Sequence, residues 1–424
     1  MEQAYQTRLL DALLLDYLQE LPAIAIDGAK AVGKTSTASR LVQTIYHVDE
    51  ELVRELLMND FSMAEAAKKP VLLDEWQFAP PLWNRVRRAV DDDVSPGQYV
   101  LAGSSYPAGA KIHSGAGRLV HVRMRPLSLF ERHLADPAVS LRELLAGKAE
   151  QAQATTKVSY GDYLREIFQS GFPGLRSQSP HAVALQLDSY IESVINREFV
   201  DQGVRVRKLE SLRAWMRAYA AASASTAAYE TIRDGASGGQ NEKPAANTTL
   251  AYRDLLACMW LIDPIDPWLP TDASFKDLGK TPKHYLVDCA LAARLLDITE
   301  DTLLEADAIK VLGPQKKSII GRLFESLLAQ SLQVYAQINE ARLRHFRSSN
   351  GRHEVDFIIE RGRQVVAIEA KSQAEVTAAD ARHLNWLAGA FPERHITKVI
   401  LYTGAYAYTR EDGVRVIPAA LLGP

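Results

Sequence analysis

The stretch Gly28-Ala29-Lys30-Ala31-Val32-Gly33-Lys34-Thr35-Ser36 sets two glycines, a lysine and paired hydroxyls at the spacing GxxxxGK[ST]. Glycine accepts backbone torsions that a side chain obstructs, so successive N–H groups in such a loop can turn inward on phosphate oxygens. Lys34 would reach the β and γ phosphates of a nucleoside triphosphate such as ATP, and the Thr35 hydroxyl would join a magnesium ion. Ahead of the loop, Ala23-Ile24-Ala25-Ile26 reads as a buried strand, and ASRLVQTI behind it reads as a helix. Strand, loop and helix in that order is the context the chemistry requires.

Two further strand ends supply acid and hydroxyl groups. Val71-Leu72-Leu73 runs into Asp74-Glu75, which suits one carboxylate on the metal side and one general base for an attacking water. Asp74 takes the first role and Glu75 the second. Tyr99-Val100-Leu101-Ala102 ends in Gly103-Ser104-Ser105, which offers the Ser104 hydroxyl as a sensor beside that water.

Taken together, AIAIDGAKAVGKTS, PVLLDEWQ, VLAGSS and SGAGR followed by RPLSLFE resemble the AAA-type ATPase of a widespread prokaryotic family, in which the ATPase is fused to a carboxy-terminal domain of unknown function. The resemblance implies ATP and Mg2+ as cofactors and makes Arg118 the arginine finger, a group that often serves a neighbouring subunit and so implies a homo-oligomer. It also places a helical lid and a winged-helix-like module in the middle of the chain. The stretch TTLAYRDLLACMW offers a DNA groove little beyond Arg253, so the module reads as a packing or partner-docking unit rather than a sequence reader. Gly171-Phe172-Pro173-Gly174 breaks the helical pattern, with no chemistry to assign to it.

Near the carboxy terminus, GRLFESLLAQSLQVYAQI is an amphipathic helix carrying Glu325 near its start. EVDFIIE and QVVAIEAK follow as a hairpin around Arg361-Gly362. Glu369 and Lys371, two apart on a strand, share a face that Asp356 on the partner strand can meet. An acid on a helix, an acid on one strand and ExK on the next resemble the PD-(D/E)xK nuclease superfamily. In that chemistry Asp356 and Glu369, with the Ala370 carbonyl, hold one or two magnesium ions whose bound water attacks a phosphodiester. Lys371 orients that water, Glu325 completes the metal shell and Arg347 holds a phosphate. Charge inside the apolar run VVAIEAK is costly unless it is paired or used.

The elements that must position these groups make an α/β chain of three parts. They are a P-loop AAA-type ATPase core over residues 1–135, a helical lid and winged-helix-like region over 136–310, and a restriction-endonuclease-like α/β domain over 311–424. Its 424 residues, 47% hydrophobic and 24% charged, suit several globular domains. A net charge of −3 gives no global basic field, so contact with nucleic acid has to come from a local patch. Cys258 and Cys289 lack zinc-site spacing and are expected to be buried thiols. The amino terminus does not read as a signal peptide and no segment reaches membrane length, so the expected location is the cytoplasm. Two functions fit. In the first, ATP turnover controls a metal-dependent nuclease-like domain acting on nucleic acid, DNA foremost. In the second, an ATP-driven switch carries an inactive nuclease-like domain that only binds DNA or a protein partner.

Overall fold

Ala23–Asp27 (β1) is buried along its whole length, as expected of a strand covered on both faces. In the computed structural model, which describes residues 5–106, 117–148, 153–199, 209–237, 243–269, 281–304, 315–348 and 350–424, it joins Thr44–His47 (β2), Val71–Asp74 (β3), Tyr99–Gly103 (β4) and Leu119–Arg123 (β5). These form a five-stranded parallel sheet in the order β2-β3-β4-β1-β5. The register sets Asp27 level with Gly103 and Asp74 level with Ala102, which brings three strand ends to one edge. Ligands of open parallel sheets bind beyond that carboxyl edge.

The helix behind the phosphate loop is shorter than ASRLVQTI suggests. Only Lys34–Ala38 is helical, and the chain then turns so that Thr44–His47 pairs with β3. Thr44, Ile45 and Tyr46 are β-branched or aromatic, and they favour a pleated strand over a continued helix.

The middle of the chain is tied to the carboxy-terminal part. Val139–Ser140 (β6) and Ala154–Thr155 (β7) are short strands there. The long helix Gln315–Ile338 then leads into Arg342–Arg347 (β8), Glu354–Arg361 (β9) and Gln364–Lys371 (β10). After the helix Ala378–Ala390 come His395–Tyr402 (β11), Tyr406–Thr409 (β12), Arg415–Pro418 (β13) and Leu422–Gly423 (β14). Among the described residues, β7 to β13 make a seven-stranded mixed sheet in the order β7-β12-β13-β11-β10-β9-β8, and β14 pairs with β6. KVILYTG and GVRVIPA read as strands in the sequence and correspond to β11 and β13; β12 lies between them as an additional strand.

One apolar cluster runs from Ile24 and Ile26 of β1 through Leu187 and Trp215 of the middle helices to Leu327 and Ile368 of the carboxy-terminal part. The helix Leu9–Glu20 buries Leu10, Leu14 and Leu18, one helical stripe, and packs on Gln315–Ile338. The three segments therefore share a core.

Between Leu127 and Asn196 the helices are Leu141–Leu145, Tyr160–Phe168 and Pro180–Ser193, the last continuing as a π-turn over Val194–Glu198. Further along are Leu209–Ala221, Tyr229–Gly235 and Ala246–Cys258. Asn247 and Thr248, either of which reads as a helix cap in the sequence, lie inside Ala246–Cys258, whose N-cap is Ala245 with no side-chain cap. The apolar run ending in DPW, which reads as a strand in the sequence, forms antiparallel bridges, Ile262 with Leu286 and Ile265 with Lys283, and Pro267 bridges His345 of β8. Pro264 and Pro267 remove donors that a continuous ladder would need. Residues 114–116 of SGAGR, and residues 238–242 and 270–280, lie outside the described residues. Cys289 is buried, whereas Cys258 is only half-buried, because it ends a helix at the surface.

Candidate nucleotide site and carboxy-terminal acid cluster

The phosphate loop leaves β1 through Gly28, where a Cβ would stand 2.3 Å from the Met124 carbonyl oxygen, so only glycine fits. Gly33 has φ +99, which glycine alone adopts readily, and Ala31 has φ 68. Lys34 is buried and its ammonium donates to the carbonyls of Gly28 at 2.9 Å and Ala29 at 3.0 Å. Burial pushes its pKa down to about 8, against the pull of Glu75, Asp74 and Asp27. Ala29 and Val32 are buried within the loop, while Lys30 and Ser36 face outward. Lys30 lies 3.5 Å from Glu198, and its carbonyl accepts from Tyr190 at 3.4 Å, joining the loop's apex to the helix Pro180–Ser193 and its continuation.

At the end of β3, Thr35 Oγ1 lies 3.0 Å from both oxygens of Asp74, which also faces His47 at 3.4 Å. Burial raises the Asp74 pKa and the Thr35 hydroxyl only partly offsets it. Two hard oxygen donors at this spacing fit a magnesium ion, which takes one or two carboxylates and fills its shell with phosphate and water. Glu75 sits in the left-handed region at φ 53, where the chain leaves the strand. Ser104 Oγ donates to Glu75 Oε2 at 3.1 Å, and Gln77 donates to both Glu75 and Ser104. The structure thus gathers Lys34, Thr35, Asp74, Glu75 and Ser104 at one sheet edge, arranged to bind a triphosphate and to accept a proton from water.

The cleft over this edge has a volume of about 430 Å³, and several of its walls come from residues that sequence reasoning left unassigned. Tyr5, Gln6 and Arg8 form one side, and Pro173 and Gly174 of the GFPG break form another. Arg8 is buried; it donates to Val32 O at 2.9 Å and Arg125 O at 2.6 Å, and it pairs with Glu131 at 3.0 Å. GFPG is held by Gly171 N–H donating to Asp288 at 2.7 Å, and a Cβ on Gly171 would meet Gln330 at 2.2 Å. The break in helical pattern was a usable sign for GFPG; nothing local marked Arg8.

Arg118 stands apart from this site. It precedes Leu119, which is level with Ala23, the first residue of β1, and it pairs with Asp91 at 2.6 Å. Five residues of strand rise, roughly 16 Å, separate it from Arg123, which is level with Asp27 at the edge where its own phosphate loop lies.

In the carboxy-terminal part, β9 and β10 bring Asp356 beside Glu369 and Lys371. Asp356 Oδ2 accepts from Ala370 N–H at 2.9 Å, and Lys371 lies 3.4 Å from Glu369 Oε2 and 3.7 Å from Asp380. Glu369 is buried and its Oε1 has no hydrogen-bond partner. Burial, and then the like charge of Asp356, push the Glu369 pKa well up. Glu325 Oε1 accepts from Tyr285 at 2.6 Å and meets Lys283 at the same distance; burial raises its pKa to about 7. Lys283 and Tyr285 belong to the middle segment and lack any neighbouring motif, so no local pattern points to them. Arg347 is exposed, hydrogen-bonded to Thr226 and 3.9 Å from Glu354. Arg253 is likewise engaged, lying over the Tyr229 ring and pairing with Asp254.

Residues 20–133 match the model of an AAA domain, and residues 160–302 and 320–422 match two domains of unknown function, DUF8612 and DUF4143. Uncharacterized proteins of Mycobacterium bovis and Mycobacterium tuberculosis are each 23% identical over 415 residues, covering 95% of this chain and 81% of theirs. A Walker-type ATPase of Pyrococcus abyssi has 13% identity and a TM-score of 0.41, over 69% of this chain and 97% of its own. The ORC2 protein of Aeropyrum pernix, solved as ADPNP and ADP complexes, has 14% identity and a TM-score of 0.32, over 70% and 95%. Among the described residues no helix is long and apolar enough to cross a membrane. The phosphate loop, the strand-end acids and the match over residues 20–133 agree in making the amino-terminal segment similar to an AAA-type P-loop ATPase domain.

Proposed function

We propose that this chain hydrolyses ATP with magnesium and that turnover controls a metal-dependent, nuclease-type site in its carboxy-terminal domain, acting on nucleic acid and on DNA foremost. In the ATPase half, the loop N–H groups and Lys34 bind the phosphates, and Thr35 and Asp74 hold the metal. Glu75 takes the proton of the attacking water and Ser104 fixes its carboxylate. Arg118 is too far from its own loop to act there, so the reading includes a homo-oligomer in which it serves a neighbouring copy's nucleotide.

The observation that carries the carboxy-terminal half is the convergence of Asp356, Glu369 and Lys371, with a buried carboxylate oxygen of Glu369 left without a partner. The order helix, three antiparallel strands, helix and parallel strand supports the restriction-endonuclease-like reading of this domain. Support for coupling is a polar chain between the two sites. Val32 O and Arg125 O both accept from Arg8, and Arg125 donates to Asp263 at 2.7 Å. Asp263 N–H donates to Tyr285 O at 2.9 Å, and the Tyr285 hydroxyl donates to Glu325. The test is cleavage of labelled single- and double-stranded DNA and RNA with magnesium or manganese, with and without ATP. Cleavage lost in Asp356→Ala and Lys371→Ala and altered in Lys34→Ala is the expected result. Cleavage indifferent to both nucleotide and Lys34→Ala removes the coupling.

A second reading is favoured by Glu325, whose carboxylate is engaged by Lys283 and Tyr285. On that reading the chain is an ATP-driven switch whose carboxy-terminal domain only binds DNA or a protein partner. It predicts no cleavage with any metal and a gel shift or pull-down that depends on nucleotide.

A further inference from the structure

Lys283 carries a cation into the acid cluster from outside the carboxy-terminal segment. Its side chain is 1% exposed, and its ammonium lies 2.6 Å from Glu325 Oε1, 2.8 Å from Asp356 Oδ1 and 3.5 Å from Glu354 Oε1. The backbone holds it in place: Lys283 and Ile265 exchange both main-chain hydrogen bonds, at 2.8 and 2.9 Å. The same segment is stitched to β8, with Trp268 N–H donating to His345 O at 2.6 Å and His345 N–H donating to Asp266 O at 3.0 Å. A lysine buried in so bridged a segment is a standing member of the site.

The two oxygens of Asp356 have different duties. Oδ1 faces Lys283 and Oδ2 faces the backbone of β10, next to the buried Glu369 carboxylate with its unpartnered Oε1. Among the described residues, no three His, Cys, Asp or Glu side chains are arranged to hold a metal ion. Magnesium seldom needs three, since one or two carboxylates with water and substrate oxygens make a complete shell. Asp356 and Glu369 therefore suffice for one ion. A second ion, which in paired sites lies roughly 3.5–4 Å from the first, would need another acid. Glu325 and Glu354 are the acids beside Lys283; Glu325 Oε1 already takes both the Lys283 ammonium and the Tyr285 hydroxyl, and Glu354 lies 3.5 Å from the same ammonium and 3.9 Å from Arg347.

We infer that the carboxy-terminal site takes one divalent cation, held by Asp356 and Glu369, and that Lys283 supplies the second positive charge where a second ion would sit. The inference rests on the nuclease-type reading above. An ammonium offers three donors and no open coordination position, so it neutralises Glu325 and Asp356 without activating a second water. Leaving those buried acids unpaired would be strongly unfavourable.

The experiment is a Mn2+ titration of the full-length chain carrying Asp74→Asn, without nucleotide, followed by calorimetry and electron paramagnetic resonance. One Mn2+ per chain with no Mn–Mn coupling is expected, falling to none when Asp356→Asn is added. Lys283→Met is expected to admit a second, magnetically coupled Mn2+, whereas Lys283→Arg keeps one. Two coupled ions in the chain that retains Lys283 would overturn the inference and leave the nuclease-type reading intact. A folded Lys283→Met chain that still takes one ion overturns the role given to Lys283. No Mn2+ bound by any variant overturns both the inference and the metal-dependent reading beneath it. Should Lys283→Met fail to fold by circular dichroism, the stoichiometry and coupling of the Lys283-containing chain still decide.

Discussion

The Thr35 hydroxyl stands 3.0 Å from both carboxylate oxygens of Asp74, so the helix behind the phosphate loop and the end of β3 are joined through the two groups suited to share magnesium. Thr35→Val keeps the shape of the side chain and removes the oxygen. It is expected to weaken magnesium-dependent ATP binding by roughly tenfold or more, the scale of a hydrogen bond to a charged partner, while leaving binding in chelator nearly unchanged. Titration with a fluorescent ATP analogue, with magnesium and with EDTA, measures the difference.

Burial brings Lys34 to a pKa of about 8, well below the ordinary lysine value of 10.5. Above about pH 8 its amine is neutral in the folded chain and must gain a proton to meet phosphate, so ATP affinity should fall as pH rises, by at most tenfold per unit for one proton. The stability term has the opposite sign. Between about 8 and 10.5 the unfolded chain binds the extra proton, so this group's contribution to stability grows with pH. Lys34→Met should abolish both trends, as nucleotide titrations and thermal melts across pH would record.

Glu75→Gln should leave ATP binding within a few-fold of wild type and slow hydrolysis by about two to four orders of magnitude, the usual loss for a general base. Ser104→Ala, which removes the 3.1 Å bond that fixes Glu75, should lower kcat with little change in KM. Steady-state phosphate release on both variants is the check; a Ser104→Ala effect confined to KM would remove its role in orienting the base.

Arg8 is buried, pairs with Glu131 and holds the carbonyl of Val32 inside the phosphate loop. Arg8→Met should cost about 3–5 kcal/mol, the scale for breaking a buried ion pair, because Glu131 keeps its charge. The double variant Arg8→Met with Glu131→Gln should recover part of that stability without recovering ATP affinity. Denaturant melts and nucleotide titration on the two proteins separate the effects.

Asp263 is buried between Arg123 at 3.0 Å and Arg125 at 2.7 Å. Burial opposes its charge, yet the two guanidiniums win and hold its pKa below the usual carboxylate range. Its stabilisation is full above the ordinary carboxylate pKa and is lost as pH falls through the lowered value. Asp263→Asn should therefore reduce stability at pH 7 and flatten the acid side of the stability curve, as melts between pH 2 and 7 would show.

Much of the nucleotide site could be read in the chain because its parts are local. Gly28 to Thr35 is one continuous loop whose geometry depends on its own residue types, and Asp74, Glu75 and Ser104 sit at the ends of short apolar strands. The hairpin around Gly362 was equally plain, since alternation along EVDFIIE and QVVAIEAK places Asp356, Glu369 and Lys371 by strand geometry alone. Where the pattern is ambiguous the structure departs from it: Thr44 and Ile45, at the end of ASRLVQTI, pair in β2 instead of extending the helix, and the run around Pro267 forms bridges where a strand is expected. The cleft walls and the acid cluster's counterion depended on folding. Arg8 reaches Val32 and Arg125, and Lys283 reaches Glu325 and Asp356, across separations that no local periodicity encodes. A buried charge is tolerated only where a partner meets it, and those partners are brought together by the shared core that packs the three segments on one another.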